Sequence, residues 1–255
     1  MQNGGLRTRG IIKTSTPEHP LITVVTVVFN GEATLEQTIQ SVVNQTYDNV
    51  EYIIVDGGSK DRTLDIIKKY EDRIDYWQSE PDKGIYDAMN KGIGLVTGNY
   101  VSLLNSGDWY ENNTVMNVVT EIKKNPLNDI FYGMMRIYSE DYKYLWVYGY
   151  GHDYLEHSMI SHPTSFVAKK IYEAYKYNLK YKSAADYDLF LTLFQKGYKF
   201  YFIEKILANY ILGGMSDSFV GKKETSKVRF EHKVISLKSF LIHFVIYSVL
   251  GLFKK

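Results

Sequence analysis

Leu21 to Phe29 (L-I-T-V-V-T-V-V-F) is an almost unbroken β-branched run, the pattern of a strand buried on both faces. Asn30 and Gly31 end it, and Leu35, Ile39, Val42 and Val43 then recur at helical spacing within Glu32 to Gln45. Val50 to Val55 predicts a second strand, closed by D-G-G-S, and Asp61 to Tyr70 a second helix. Ile74 to Gln78 predicts a strand, Ile85 to Val96 a helix, and Tyr100 to Leu104 a fourth strand. Strict alternation of strand and helix implies right-handed crossovers and a mostly parallel sheet flanked by helices, an α/β fold. Ligands of such sheets sit at the carboxyl ends of the strands. The polar loops at Asn30, Asp56 to Ser59, Asp82 to Gly84 and Asn105 to Asp108 are therefore expected on one rim.

The second half is less regular. Ile130 to Tyr138 and Lys143 to Tyr150 read as tyrosine-rich antiparallel strands, and Ser165 to Ala168 as a short strand. Asp186 to Gln195 reads as a helix, and Tyr198 to Ile203 and Ile206 to Leu212 as two strands. Flat rings suit the faces of sugars, and they equally fill half-buried strands. Ser239 to Phe253 is a fifteen-residue apolar run with Ser239, His243, Tyr247 and Gly251 as a weak polar stripe. It is short of the roughly 20 residues needed to span a bilayer. A helix lying in a membrane interface fits it, as does an oligomer or packing helix.

Composition sharpens this picture at two points. The 255-residue chain has a formal net charge of +1, which argues against a generic nucleic-acid binder. Residues from Lys222 onward nevertheless carry +6, leaving about −5 on the remainder, and a basic tail suits an anionic membrane surface. The absence of cysteine removes disulfides, thiolate nucleophiles and cysteine-based zinc sites. Residues 1–19 are polar and lack the apolar core of a signal peptide, so they read as a flexible leader and the expected compartment is the cytoplasm. Residues 20–221 form the expected main domain and residues 222–255 the basic, apolar helical tail.

The candidate chemistry lies on isolated acids beside apolar segments. Asp186, with Asp188, opens a helical pattern, and Asp108 follows a strand in L-L-N-S-G-D-W-Y. A carboxylate at a helix mouth suits a general base, and one at a strand end suits a hard cation. Asp56 begins D-G-G-S-K-D-R-T, where glycines let a ligand approach and the carboxylate can accept from a nucleobase N–H; the same residues make an ordinary turn into a helix. In D-K-G-I-Y-D-A-M-N-K-G, Asp87 and Asn90 share a face with Lys91 nearby, suiting a diphosphate or a plain surface ion pair. His162 in S-H-P-T is either a polar contact in the site or a satisfied loop histidine.

Taken in order, V-F-N-G, S-V-V-N-Q-T-Y, V-D-G-G-S-K-D-R-T, S-E-P-D-K-G-I-Y-D-A-M-N-K-G and L-L-N-S-G-D closely resemble the family 2 glycosyltransferases. The later S-H-P-T-S-F, A-A-D-Y-D-L and L-G-G-M-S resemble the bacterial branch that builds surface polysaccharide and O-antigen units. The resemblance runs from about Pro20 to Ser216 and implies a GT-A fold acting on nucleotide sugars. It implies that Phe29, Asn30 and Glu32 cradle the nucleotide and that Asp56 contacts uracil. Asp82, Lys83 and Gly84, with Asn90 and Lys91, would face nucleotide and sugar, and Asp108 would hold Mn2+ or Mg2+. Asp186 would deprotonate the acceptor hydroxyl for one inverting displacement, with His162 and Asp188 as further acceptor or sugar contacts.

The departures bear on the chemistry. Gly57 stands where the family pattern usually has a second acid, Asn105 and Gly107 where the metal motif has acids, and Ala185 where an acid often precedes the base. No Q-x-x-R-W occurs, so transfer of a single hexose or N-acetylhexosamine is expected, from a uridine-linked donor to a glycan acceptor. The tail is compatible with a lipid-linked acceptor, peripheral attachment to the inner face of the cytoplasmic membrane, or a homo-oligomer. A nucleotidyltransferase would need a basic glycine-rich loop after the first strand, where this chain has F-N-G-E-A-T. An inactive nucleotide-sugar-binding or membrane scaffold protein is the alternative from another class.

Overall fold

The computed structural model describes residues 1–214 and 218–252. Met215 and Ser216 of the L-G-G-M-S segment, and Phe253, Lys254 and Lys255 of the tail, lie outside the described residues.

In chain order the elements are β1 (Gln2–Gly4), β2 (Ile22–Val28), α1 (Leu35–Val43), β3 (Val50–Asp56), α2 (Thr63–Lys69), β4 (Tyr76–Ser79) and α3 (Ile85–Ile93). There follow β5 (Tyr100–Leu103), β6 (Trp109–Tyr110), α4 (Thr114–Lys124), β7 (Ile130–Tyr138), β8 (Tyr144–Tyr148), β9 (Phe166–Ala168) and α5 (Lys169–Ala174). The chain continues through α6 (Ala185–Gln195), β10 (Phe200–Ile211), α7 (Phe219–Glu231) and α8 (Leu237–Leu252). The described strands make one sheet in the order β1-β4-β3-β2-β5-β9-β7-β10-β6, with β8 also on β7.

The expected parallel block is present: β4, β3, β2 and β5 run parallel. All seven residues of β2 and of β3 are buried, because helices cover both faces. Val25, Val27, Ile53 and Val55 pack with α3 and α6 on one face, while Val24, Tyr52 and Ile54 pack with α1 and α4 on the other. The second half joins through β9, antiparallel to both β5 and β7. β7 and β8 are antiparallel as expected, but the two strands expected between Tyr198 and Leu212 are a single one, β10 (Phe200–Ile211), parallel to β7. Register shifts between Ile203 and Ala208 absorb the polar Glu204–Lys205 pair that separates the two apolar runs.

The leader requires a correction, because residues 2–13 are tied to the sheet. β1 pairs antiparallel with β4, matching Asn3 to Gln78. Arg7 forms an ion pair with the buried Glu51, which also accepts from Thr23 Oγ1 at 2.6 Å and Thr97 N at 2.9 Å. Burial alone would raise the Glu51 carboxyl, but these donors and Arg7 bring it below its ordinary range. Lys13 pairs with Asp75 at 2.8 Å. Ion pairs and backbone pairing leave no hydrophobic period, which is why the segment reads as a loose leader.

Candidate active site

The loops after β2, β3, β4 and β5 meet at the carboxyl rim, and the first two are laced together. Asn30 adopts a left-handed conformation (φ 50°), which asparagine tolerates. Its backbone N–H donates to Ser59 Oγ at 2.7 Å, and its Oδ1 accepts from Lys60 N at 2.8 Å. Glu32 N donates to Asp61 Oδ2 at 3.0 Å, while Glu32 Oε2 accepts from Arg62 N at 3.0 Å. The Asn30 and Glu32 side chains thus hold the shape of the rim, while Phe29 stands exposed on it.

Asp56 is fully buried. Its carboxylate accepts from Ser59 N and Oγ, from Gly58 N at 3.2 Å and from Ser79 Oγ at 2.6 Å. It is therefore spent on the D-G-G-S turn and not presented to a nucleobase, which corrects its expected contact with uracil. Gly57 supplies the opening instead, since a Cβ there would collide with Asp82 Oδ2 and approach Phe29 Cδ2 to 3.4 Å. Phe29 and Asp82 thus flank a bare stretch of backbone. Asp82 Oδ1 accepts from Gly84 N at 2.8 Å, leaving Oδ2 toward Gly57.

Lys83 and Gly84 are exposed at the mouth of α3. Lys91 reaches back to Glu80 Oε1 at 2.9 Å and Pro81 O at 3.0 Å, pinning that loop. Asn90 faces elsewhere: its Nδ2 donates to Tyr177 O and its Oδ1 accepts from Tyr177 N, both at 2.9 Å. With one amide N–H and its oxygen both bound to the backbone of residue 177, Asn90 clamps that segment against α3.

Beside the rim opens a cleft of ≈ 580 Å³. Asn105, Ser106, Gly107 and Asp108 line one part, Tyr86, His162 and Asp186 another, and Met135, Ile137, Trp146, Tyr148, Met159 and Ile160 form an apolar wall. Asp186 sits in the first turn of α6, half-buried. Its Oδ1 accepts from Tyr86 Oη and from Tyr187 N, both at 2.9 Å. Burial, and after it the Asp186 charge, pushes the Tyr86 hydroxyl far above its ordinary range, so it remains a donor.

Asp108 is 5 % exposed, and burial raises its carboxyl well above the ordinary range. No protein donor satisfies that carboxylate among the described residues, and the buried Oδ1 of Asn105 likewise has no partner. His162 is buried with Nε2 3.1 Å from Tyr177 Oη, and burial lowers its pKa against the opposing pull of Asp186. Asp188 turns away from the cleft, because residues two apart on a helix diverge. It meets His232 Nε2 at 2.9 Å and Asn178 Nδ2 at 3.4 Å, so the expected acceptor contact is corrected to a bond with the chain after α7.

A family profile described as "Glycosyl transferase family 2" matches residues 23–207, which spans the rim and α6. The chain belongs to glycosyltransferase family 2. This family 2 glycosyltransferase is 29% identical over 212 residues to a "PGL/p-HBAD biosynthesis glycosyltransferase" of Mycobacterium bovis (strain BCG / Pasteur 1173P2), covering 80% of this chain and 82% of that one. It is 36% identical over 126 residues to an uncharacterized glycosyltransferase of Mycobacterium tuberculosis, covering 48% of each. Among solved structures, TarS of S. aureus in complex with UDP-GlcNAc superimposes with TM-score 0.69 at 14% identity, covering 89% of this chain and 71% of that one. The chain spans 39% of a longer TarS chain. Mannosyltransferase PcManGT from Pyrobaculum calidifontis, in complex with GDP-Man and Mn2+, gives TM-score 0.65 at 14% identity, covering 89% and 67%. The fold is GT-A.

The structure therefore brings Asp108, His162 and Asp186 to one cleft, with Phe29, Asn30, Glu32, Asp82, Lys83 and Gly84 on the adjoining rim. Sequence reasoning passed over Tyr86 and Trp146. The alternation Tyr144, Trp146, Tyr148 places three aromatic residues on one face of β8 and is a signal for Trp146. Nothing in the local pattern marks Tyr86, whose partner lies 100 residues away.

Proposed function

We propose that this glycosyltransferase moves one hexose or N-acetylhexosamine, with inversion, from a uridine diphosphate sugar to a hydroxyl of a glycan acceptor in surface-polysaccharide assembly. The observation that carries the reading is Asp186: Oδ1 is held by two donors, while Oδ2 has no partner among the described residues of a carboxylate lining the cleft. Oδ2 takes the proton of the acceptor hydroxyl as that oxygen attacks the anomeric carbon. The bond from that carbon to the diphosphate oxygen breaks, and the nucleoside diphosphate leaves with the electron pair. Base catalysis of this kind contributes about 10²–10⁴-fold. Phe29 and Asp82 would take the nucleobase over Gly57, and the apolar wall would take the acceptor.

Asn105 and Asp108 offer two buried oxygen ligands that no protein donor satisfies, which fits a hard divalent cation, Mn2+ or Mg2+. No cluster of three or more His, Cys, Asp or Glu able to hold a metal occurs among the described residues, so the diphosphate and water would complete the coordination. Asn105 and Asp108 would hold such a cation where it would offset negative charge on the departing diphosphate.

A thermal-shift panel of nucleotide sugars with and without manganese identifies the donor, because a specific ligand raises stability by mass action. Asp186→Asn is expected to slow transfer by about 10²–10⁴-fold with UDP affinity nearly unchanged; full turnover by this variant sinks the base assignment. Asp108→Ala is expected to lose the metal-dependent part of donor binding. A chain that binds donor yet neither transfers nor hydrolyses it would be the inactive binding protein instead.

We further propose a peripheral position on the inner face of the cytoplasmic membrane, which favours a lipid-linked acceptor. α8 is turned inside out: Phe240, His243 and Tyr247 are half-buried on the side where Phe240 stacks on Phe230 of α7 at 4.9 Å, while Leu241, Ile242, Val245, Ile246 and Val249 are exposed. Lys222 and Lys227 on α7, Lys233 after it and Lys238 in the first turn of α8 are exposed and would complement anionic head groups. Sixteen residues make about 24 Å of helix, and no helix of the described residues is long and apolar enough to cross a membrane. Ser239, His243 and Tyr247 of the polar stripe are half-buried, and the exposed apolar side of α8 would be the one to meet lipid.

A further inference from the structure

The structure assigns Tyr86 as the positioning residue of Asp186, so that the helix opening beside the donor rim also sets the base of the acceptor cleft. This rests on the reading of Asp186 as base. Asp186 Oδ1 accepts from Tyr187 N within its own helix and, from outside that helix, from one side chain among the described residues. Here Tyr86 Oη donates to Oδ1 at 2.9 Å from α3, an element 100 residues away, and leaves Oδ2 as the proton acceptor. The donor is itself immobile. Tyr86 is 6 % exposed, and its ring lies against the Tyr177 ring at 5.4 Å. Tyr177 is fixed in turn by Asn90, one turn along α3, which bonds both its N–H and its C=O. Tyr177 Oη sits between His162 Nε2 and Tyr172 Oη, each at 3.1 Å. One face of α3 thus holds the base directly through Tyr86 and supports that tyrosine through Asn90.

Position along the helix adds a second point. Gly84 and Tyr86 are two residues apart, so the loop from Asp82 to Gly84 and the hydroxyl that orients Asp186 belong to one rigid segment. The I-Y-D-A-M-N stretch serves the acceptor half through Tyr86 and Asn90, while its flanking Asp82 and Lys83 serve the donor half.

Tyr86→Phe keeps the ring and removes only the hydroxyl, so it is the variant of choice, alone and combined with Asp186→Asn in the full chain. UDP binding by calorimetry, UDP release from the nucleotide sugar selected in the thermal-shift panel, and urea unfolding are measured for all four proteins. Expected are a fall in kcat of about tenfold or more with donor KM and UDP affinity unchanged, and no further fall when Tyr86→Phe is added to Asp186→Asn. The unfolding effects of the two substitutions should be non-additive, since the residues share a hydrogen bond. If Tyr86→Phe slows the Asp186→Asn protein as much as the wild type, or if the unfolding effects simply add, the positioning role is overturned. Wild-type turnover by Asp186→Asn would instead overturn the base assignment, while non-additive unfolding would still establish the contact.

Discussion

His152 and His162 are both lowered from the ordinary 6.5 by burial, Asp153 opposing in the first case and Asp186 in the second. A depressed folded value means that their contribution to stability is complete above pH 6.5 and is lost as pH falls through the folded value, because the unfolded chain takes up the proton first. Asp108 runs the other way: burial raises it, so its contribution declines as pH rises through the folded value. The difference between proteins isolates the histidine. Urea midpoints measured from pH 7.5 to 5.5 should fall less steeply for His162→Gln than for the wild type; parallel curves would refute burial as the cause. At the same scale, carboxylates of similar appearance in the sequence have separate duties. Asp56 closes a turn, Asp188 holds His232, and Asp186 and Asp108 alone among these four line the cleft. Residue type and order cannot make that distinction, since it depends on which donors the fold brings to each oxygen.

At the scale of elements, the packing of α3 on the sheet depends on Gly92. A Cβ there would stand 2.5 Å from Val25 Cγ1 and 3.3 Å from Val55 Cγ2, both on fully buried strand residues that cannot retreat. Gly92→Ala gains ~1 kcal/mol of helix propensity but incurs overpacking of about 1–3 kcal/mol, and displaces the helix that carries Tyr86. A lower urea midpoint with unchanged slope, together with reduced kcat, is expected; a more stable protein would show that α3 can move away. The parallel block was legible because β2 is an almost unbroken β-branched run and β3 is apolar apart from Glu51, closed by Asn-Gly and Asp-Gly, and their observed ends differ from the sequence reading by about a residue. α4 was not read from the sequence: Val115, Val118, Val119 and Ile122 recur at helical spacing, but its start has neither a side-chain cap bond nor an acidic residue in the first turn. β6 has two residues and no period to detect, and β10 reads as two strands because Glu204 and Lys205 interrupt it. At the site, the rim loops were legible from strand ends, whereas the pairing of α3 with α6 arises only when the two halves of the sheet meet.

At the scale of the whole molecule, the charge asymmetry and the inverted α8 point the same way. Sedimentation with vesicles of mixed anionic and neutral lipid should retain the full chain, while neutral vesicles or added salt should release much of it, since head-group attraction is screened. A chain ending at residue 235 should lose vesicle binding and keep UDP affinity. If the full chain ignores vesicles and a mass measurement shows a multimer that this truncation dissolves, α8 is a contact between copies. The sheet has its own vulnerable border. β4 would be an edge strand were it not for Gln2–Gly4, whose antiparallel pairing occupies its outward N–H and C=O groups. A chain begun at residue 14 would expose that row together with Glu51 stripped of Arg7, a template on which another β-strand can pair. The first thirteen residues thus cover the outer edge of β4, and their loss is expected to show first as turbidity on warming.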